Sequence, residues 1–251
     1  MPSSTTVEHN NVKMTFTEHD HSYVDSTGRK YTSVTTLVGM GFEKFDAEAV
    51  AKMKAARDGG DWKELTKKWA RIGESASNFG TRLHENCEYQ ILGEENRMHN
   101  PIDVKEKINF ELAYEAVKRL KEDAFAIKFE PEKLIFSPKL GISGSIDLLI
   151  TYKDGNYGIF DWKNIKGIST TGFNGKHGIL EATRNIPDSN YWHYALQLQM
   201  YEIILKVEGY IPKDASVTRT LNCFINNRLE IVELPDVKEN AKMLIKWLNR
   251  K

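Results

Sequence analysis

The chain has 251 residues, 40% hydrophobic and 28% charged, which suits a folded globular protein of one large domain or two small ones. These figures exclude a collagen-like repeat, a long disordered tail and a coiled-coil array, and no run approaches the ~20 apolar residues of a membrane helix. Lysine plus arginine and aspartate plus glutamate are both 35, so a wholesale polycation is excluded while a local basic groove is not.

Residues 1–13 read as a loose polar end, and the first 22 residues contain no apolar core of a secretory signal. Residues 14–38 read as short strands around a turn at Asp25–Gly28. From Phe45 to about Ala124 the pattern is helical. Ala47–Ala56 forms one helix, stopped by Gly59–Gly60, and Asp61–Ala70 another, with Gly73 and Gly80 as interruptions beyond it. Ile72, Ala76, Phe79, Leu83, Cys87 and Ile91 make an apolar stripe at helical spacing that ends at Gly93. Asn100 and Pro101 read as the cap and first position of the next helix.

After Phe125 the pattern changes to strands. Lys133–Ser137, Ile142–Thr151 and Tyr157–Asn164 are β-rich, separated by turns at Ser137–Gly141 and Lys153–Asn156. A glycine-rich loop spans Lys166–Pro187. A helix follows over about Asn190–Val207, then a hairpin around Asn226–Asn227 and a closing helix over about Val237–Asn249. The outline is an α/β or α+β arrangement in one unit of 251 residues: strands and helices over 14–125, then a sheet core and last helix over 126–251. The two cysteines, Cys87 and Cys223, are too few for a disulfide framework or a four-thiolate cluster, which fits a reducing cytosol.

The chemistry concentrates between Glu132 and Lys163. A tight turn at Asp154–Gly155 makes residues whose numbers sum to about 309 face each other, and Asp147 with Asp161 gives 308. A turn centred near Lys139 likewise sets Glu132 opposite Asp147. Three neighbouring strands then carry Glu132, Asp147 and Asp161 in one row, about 4.5–5.5 Å apart between Cβ atoms. A slip of one residue would flip a side chain to the other face, and Glu130 competes with Glu132 for the row. Lys163 shares the face of Asp161, while Trp162 and Phe160 take the other.

Acids so close in an apolar hairpin have three outcomes: one stays protonated, a base neutralises them, or a divalent cation sits among them. The bland alternative is an exposed, solvated sheet face. Ile146, Leu148, Leu149, Ile150, Ile159 and Phe160 argue against it, because they mark a buried hairpin.

Gly144-Ser145-Ile146-Asp147 followed by Asp161-Trp162-Lys163 resembles the PD-(D/E)XK nuclease core, in the version of the RecB-like exonucleases. Gly80-Thr81-Arg82-Leu83-His84 resembles the helix that carries that branch's extra histidine, and Gln197-Leu198-Gln199-Met200-Tyr201 its Q-L-x-x-Y helix. The order of these elements is also the family's, and they are similar to those of phage-type and mitochondrial genome maintenance exonucleases. Ile146 stands where the name-giving proline would be, and two cysteines cannot hold the iron–sulfur cluster of some relatives.

The resemblance implies a restriction-endonuclease-like core, a central mixed sheet flanked by helices with the site at one edge. It implies Mg²⁺ or Mn²⁺, one or two ions, held by Asp147, Asp161, His84 and the Trp162 carbonyl, with Glu132 as an additional acid. Lys163 would activate or orient water. Gln197 and Tyr201 would brace the site or touch DNA, and Arg82 and Lys166 would contact substrate.

Residues 50–72 carry seven Lys/Arg against three acids, interleaved with Trp62 and Trp69, a composition suited to single-stranded DNA. The alternative is a solvated helix whose tryptophans face the core. The expectation is a cytoplasmic, metal-dependent DNA exonuclease acting on single strands or free ends, with a recombination or replication protein as a conceivable partner. A structure-specific endonuclease and a catalytically silent binding protein of the same fold are the competing readings.

Overall fold

The computed structural model describes residues 4–250. Nine strands form one mixed sheet: β1 (Ser4–His9), β2 (Val12–Thr17), β3 (Ser22–Asp25), β4 (Lys30–Ser33), β5 (Ala126–Ser137), β6 (Ile142–Tyr152), β7 (Tyr157–Asn164), β8 (Val217–Ile225) and β9 (Arg228–Glu233). Six helices accompany them: α1 (Val34–Met40), α2 (Ala47–Asp58), α3 (Trp62–Leu92), α4 (Val104–Glu122), α5 (Asn190–Glu208) and α6 (Lys238–Leu248). The strand order is β1-β2-β3-β4-β6-β7-β8-β9, with β5 along the other side of β6. The pairs β4–β6 and β7–β8 are parallel. This is an α/β fold with a central mixed sheet flanked by helices.

Alternation along the strands divides the core between the two faces. Ile159, Leu221, Cys223 and Ile225 pack with α1, α5 and α6, whereas Phe160, Trp162 and Phe224 pack with α3 and α4. Cys87 and Cys223 are therefore core residues of opposite faces. A third cluster, built on Met14, Tyr23, Tyr31, Leu134 and Phe136, seats the β1–β4 meander against β5. No helix among the described residues is long and apolar enough to cross a membrane.

Four local expectations need correction. Residues 4–13 of the supposed loose end form a hairpin, with Asn10 and Asn11 both left-handed at its turn; residues 1–3 lie outside the described ones. This is the two-residue turn that Asn and Gly favour, and it matches Asn226–Asn227 farther along. Residues 34–38, expected as strand, belong to helix α1, started by the Ser33 side chain accepting from Thr36 N–H.

Gly73 and Gly80 do not interrupt α3, which runs unbroken for 31 residues, about 46 Å. Each glycine costs the helix roughly 1 kcal/mol. Packing on α2 and on the sheet offsets that. The next helix starts at Val104 rather than Pro101, because Asp103 accepts from Glu106 N–H while Glu106 reaches back to Ile102 N–H. That reciprocal pair satisfies two helix-end donors, which Asn100 and Pro101 do not.

Gly144 on β6 makes a close approach possible. A Cβ there would lie 2.5 Å from Cε1 of Tyr201 on α5, a ring 4% exposed and unable to swing away. Gly144→Ala is expected to cost about 1–3 kcal/mol by overpacking, read as a lower urea midpoint at unchanged slope.

Candidate metal centre

The register deduced from the turns is the one observed. Pro131 opposes Leu148 and Lys133 opposes Ile146, so Glu132 stands across from Asp147. Strands β6 and β7 pair from Thr151–Tyr157 to Leu148–Phe160 and then separate, with Asp147 and Asp161 the first residues past the last rung. The alternation of β6 changes phase at this point. Ile146 packs in the same cluster as Leu149, while Leu148 and Ile150 pack on the opposite face. On the facing strand Glu132 adopts φ +43°, a left-handed conformation that is unusual for a non-glycine residue. Such strain costs roughly 1–3 kcal/mol and gathers where the surroundings impose it, commonly at functional sites.

This kink delivers the Glu132 carboxylate to α3. One ligand atom each of His84, Glu132 and Asp147 lie within 4.8 Å of one another. Ser145 Oγ donates to Glu132 Oε2 at 3.0 Å. Asp147 Oδ2 accepts from Trp162 N–H at 2.8 Å and lies 3.4 Å from His84 Nδ1. His84 Nε2 is 2.8 Å from the Trp162 carbonyl oxygen. A carbonyl can only accept, so Nε2 carries the hydrogen. A neutral His84 then turns its Nδ1 lone pair toward a carboxylate oxygen. Two acceptors that close call for a proton or a cation between them.

Electrostatics agree with that shortage of positive charge. Burial, and then repulsion from Asp147, push the Glu132 carboxyl up to about 8. Burial raises Asp161 to about 6, even though Lys163 opposes the shift. Asp161 is 2% exposed. Its Oδ2 lies 2.6 Å from Lys163 Nζ, an ion pair whose angles fall short of a hydrogen bond. Burial alone would lower the Lys163 ammonium, but Asp161 and Asp147 outweigh it and raise its pKa. Gln197 Nε2 donates to Tyr201 Oη at 3.1 Å and reaches Asp161 Oδ1 at 3.4 Å. The i, i+4 spacing on α5 thus sets two side chains behind one carboxylate.

Not every expected residue joins this cluster. Arg82, two residues before His84, turns to the buried carboxylate of Glu106 and ties α3 to the start of α4. Lys166 is exposed beyond the end of β7, with no ion pair among the described residues. Glu130, the rival of Glu132, is neutralised by Lys128 and Lys133. Trp62 and Trp69 lie outside the core clusters and are partly exposed. Both are half-buried along the α2–α3 pair, Trp62 beside Lys52 and Lys63 and Trp69 beside Phe45.

Three participants escaped the sequence reading. Ser145 tethers Glu132. Glu88, half-buried one helical turn after His84, adds to the repulsion felt by Glu132 and has its own carboxyl raised by burial. Its spacing of four from His84 was the available signal. Tyr194 lies with its ring 5.3 Å from Lys163 Nζ.

The arrangement is compatible with a divalent cation: two carboxylates and an imidazole converge, while the Lys163 ammonium is paired with Asp161. No protein-family profile matches the chain, and no curated protein matches it. Two of the solved structures that align with it can be described. One is a protein from Eubacterium rectale named "Putative exonuclease", at 14% identity and a TM-score of 0.46, covering 89% of this chain and 80% of that one. The other is SSO0001, at 16% identity and a TM-score of 0.28, covering 68% and 71%.

Proposed function

We propose that the protein is a metal-dependent deoxyribonuclease, one catalytic unit that hydrolyses phosphodiester bonds from the ends of single-stranded or processed DNA, in recombination, repair or replication. The convergence of His84, Glu132 and Asp147 on one point, with the Lys163 ammonium paired to the adjacent Asp161, carries this reading. The donor set suits Mg²⁺ or Mn²⁺, since hard carboxylates outnumber the single imidazole and burial, with Asp147 and Glu132, keeps the neighbouring Cys87 thiol protonated. An ion held there would act as a Lewis acid and lower the pKa of bound water.

The chain's own residues do the rest. His84, Glu132 and Asp147 would hold the ion, with Asp161 and the Trp162 carbonyl as the next available oxygens. Lys163 holds positive charge where the phosphoryl group becomes more negative on the way to the transition state. Gln197 and Tyr201 fix Asp161. Lys166 and the basic α2–α3 pair would meet the DNA backbone, and Trp62 and Trp69 at its surface would offer stacking faces to unpaired bases. Arg82, paired with Glu106, would hold α3 to the start of α4 and contact substrate only from that position.

End-labelled linear and covalently closed circular single strands of one sequence test the proposal in Mg²⁺ and in Mn²⁺. The expected result is loss of the linear strand and survival of the circle. Nicked circles would mean an endonuclease, and two intact substrates in both metals would end the nuclease reading.

A further inference from the structure

The nuclease reading gives Lys163 a task but leaves open what keeps its amine at the site. Lysine is a point charge on a flexible four-carbon stem, and free solvent offers it better solvation than a half-buried cleft. Its ion-pair partner is Asp161, at 2.6 Å. That carboxylate also belongs to the proposed ion-binding oxygens, so its charge would be shared with any cation bound there. An uncharged holder would not be shared in this way.

Helix α5 supplies one. Tyr194, Gln197 and Tyr201 follow at i, i+3 and i+7, hence along one stripe of the helix. The last two stand behind Asp161. The first presents its ring to Lys163 Nζ, 5.3 Å from the centroid, within the range of a cation–π contact. The Tyr194 hydroxyl has no hydrogen bond to Lys163 or Asp161, so the ring makes the contact. The side chain is half-buried, which strengthens the attraction by removing competing water.

Resting on the nuclease reading, we propose that Tyr194 is a positioning residue: the face of its ring, not its hydroxyl, holds the Lys163 ammonium in the site beside Asp161. Gln197 and Tyr201 thus fix the carboxylate and Tyr194 fixes the amine, all from one helix. The stripe on α5 sets the geometry of the Asp161–Lys163 pair as a unit.

Tyr194→Phe and Tyr194→Leu separate ring from hydroxyl, with circular dichroism melting as the check that both fold. Cleavage of a linear single strand in Mn²⁺ is expected to keep its kcat within about twofold for the Phe variant. The Leu variant should lose about tenfold in kcat at unchanged KM, the size of a partly desolvated cation–π contact. The second readout is independent of cleavage. In ¹⁵N-lysine spectra, the ammonium signal that disappears in Lys163→Arg should be shifted upfield by the ring in the wild type and the Phe variant, and should move downfield in the Leu variant. Equal losses for Phe and Leu would assign the effect to the hydroxyl and overturn the proposal, as would a Leu variant with wild-type kcat or an unmoved Lys163 signal. A wild type that cuts nothing but shows the shifted signal, lost on Tyr194→Leu, would sink the nuclease reading and leave the ring-held ammonium standing.

Discussion

Lys163→Met should lower the rate of strand cleavage by roughly 10²–10³-fold while leaving DNA binding nearly unchanged. That is the scale on which one preorganised charge stabilises a developing anion. The ammonium is 20% exposed and paired with an acid that is almost wholly buried, so neither water nor a neighbouring base replaces it. The same substitution has a predictable structural cost. Removing one partner of a buried ion pair strands the other, at about 3–5 kcal/mol if the remaining charge persists. Here Lys163 is the group that holds the Asp161 carboxyl down against burial. Without it Asp161 rises above about 6 and takes up a proton at neutral pH, which relieves most of the penalty. Urea unfolding of Lys163→Met should therefore show a larger loss at pH 8 than at pH 5. A methionine variant that still cuts at the wild-type rate would remove Lys163 from the mechanism.

The second large effect concerns pH and metal together. In chelator, stability should peak near pH 4 and fall by several kcal/mol, on the order of 5, toward pH 8.5. The sign follows from Glu132, whose carboxyl rises from its ordinary 4.5 to about 8 on folding, chiefly through burial and then through Asp147. Between those values the folded chain keeps a proton that the unfolded chain has released, so each rise in pH favours unfolding. Asp161 acts in the same direction over the lower window, from 3.8 to about 6.

Asp25 works the other way. Hydrogen bonds from the Thr27 and Tyr31 side chains and nearby backbone hold it down to about 2. Its contribution is present above 3.8 and lost as pH falls toward 2, which places the maximum between the two trends. The raised Lys163 ammonium keeps its charge throughout this range and does not bend the curve.

Mn²⁺ should then raise the melting temperature more at pH 8 than at pH 5.5, because the ligands must give up their protons to bind it. Glu132→Gln should flatten the metal-free slope and weaken the Mn²⁺ effect. A metal-free profile that is level or rising across pH 5–8.5, or an Mn²⁺ shift that is absent at pH 8, would show that these acids do not form the proposed centre.

Local chemistry in the chain was enough to set the strand register across the site. Asp154–Gly155 at one turn and Ser137–Gly141 at the other place Glu132, Asp147 and Asp161 on adjacent strands, and the observed pairing keeps that count. A turn of given length admits one alignment, and alternation then decides which side chains share a face. The apolar stripe of α3 and the hairpin at Asn226–Asn227 were legible for the same reason. The hairpin at Asn10–Asn11 carried an equivalent signal, obscured by its polar strands.

What the pattern did not contain is which of those acids meet. Three separate events decide that: the left-handed turn of Glu132, the phase change of β6 at Asp147, and the docking of His84 against the Trp162 carbonyl from 78 residues away. The last of these depends on α3 packing against the sheet, and no periodicity within a segment encodes how two distant segments abut. The division of labour has the same origin: Arg82 and His84 are two residues apart on one helix, yet one is claimed by Glu106 of α4 and the other by the strands. Sequence alone specified short-range geometry, because steric rules and hydrogen bonding act between neighbours. The convergence of donors came only with the packed whole, where burial raises the cost of unpaired charge and so selects which side chains face each other.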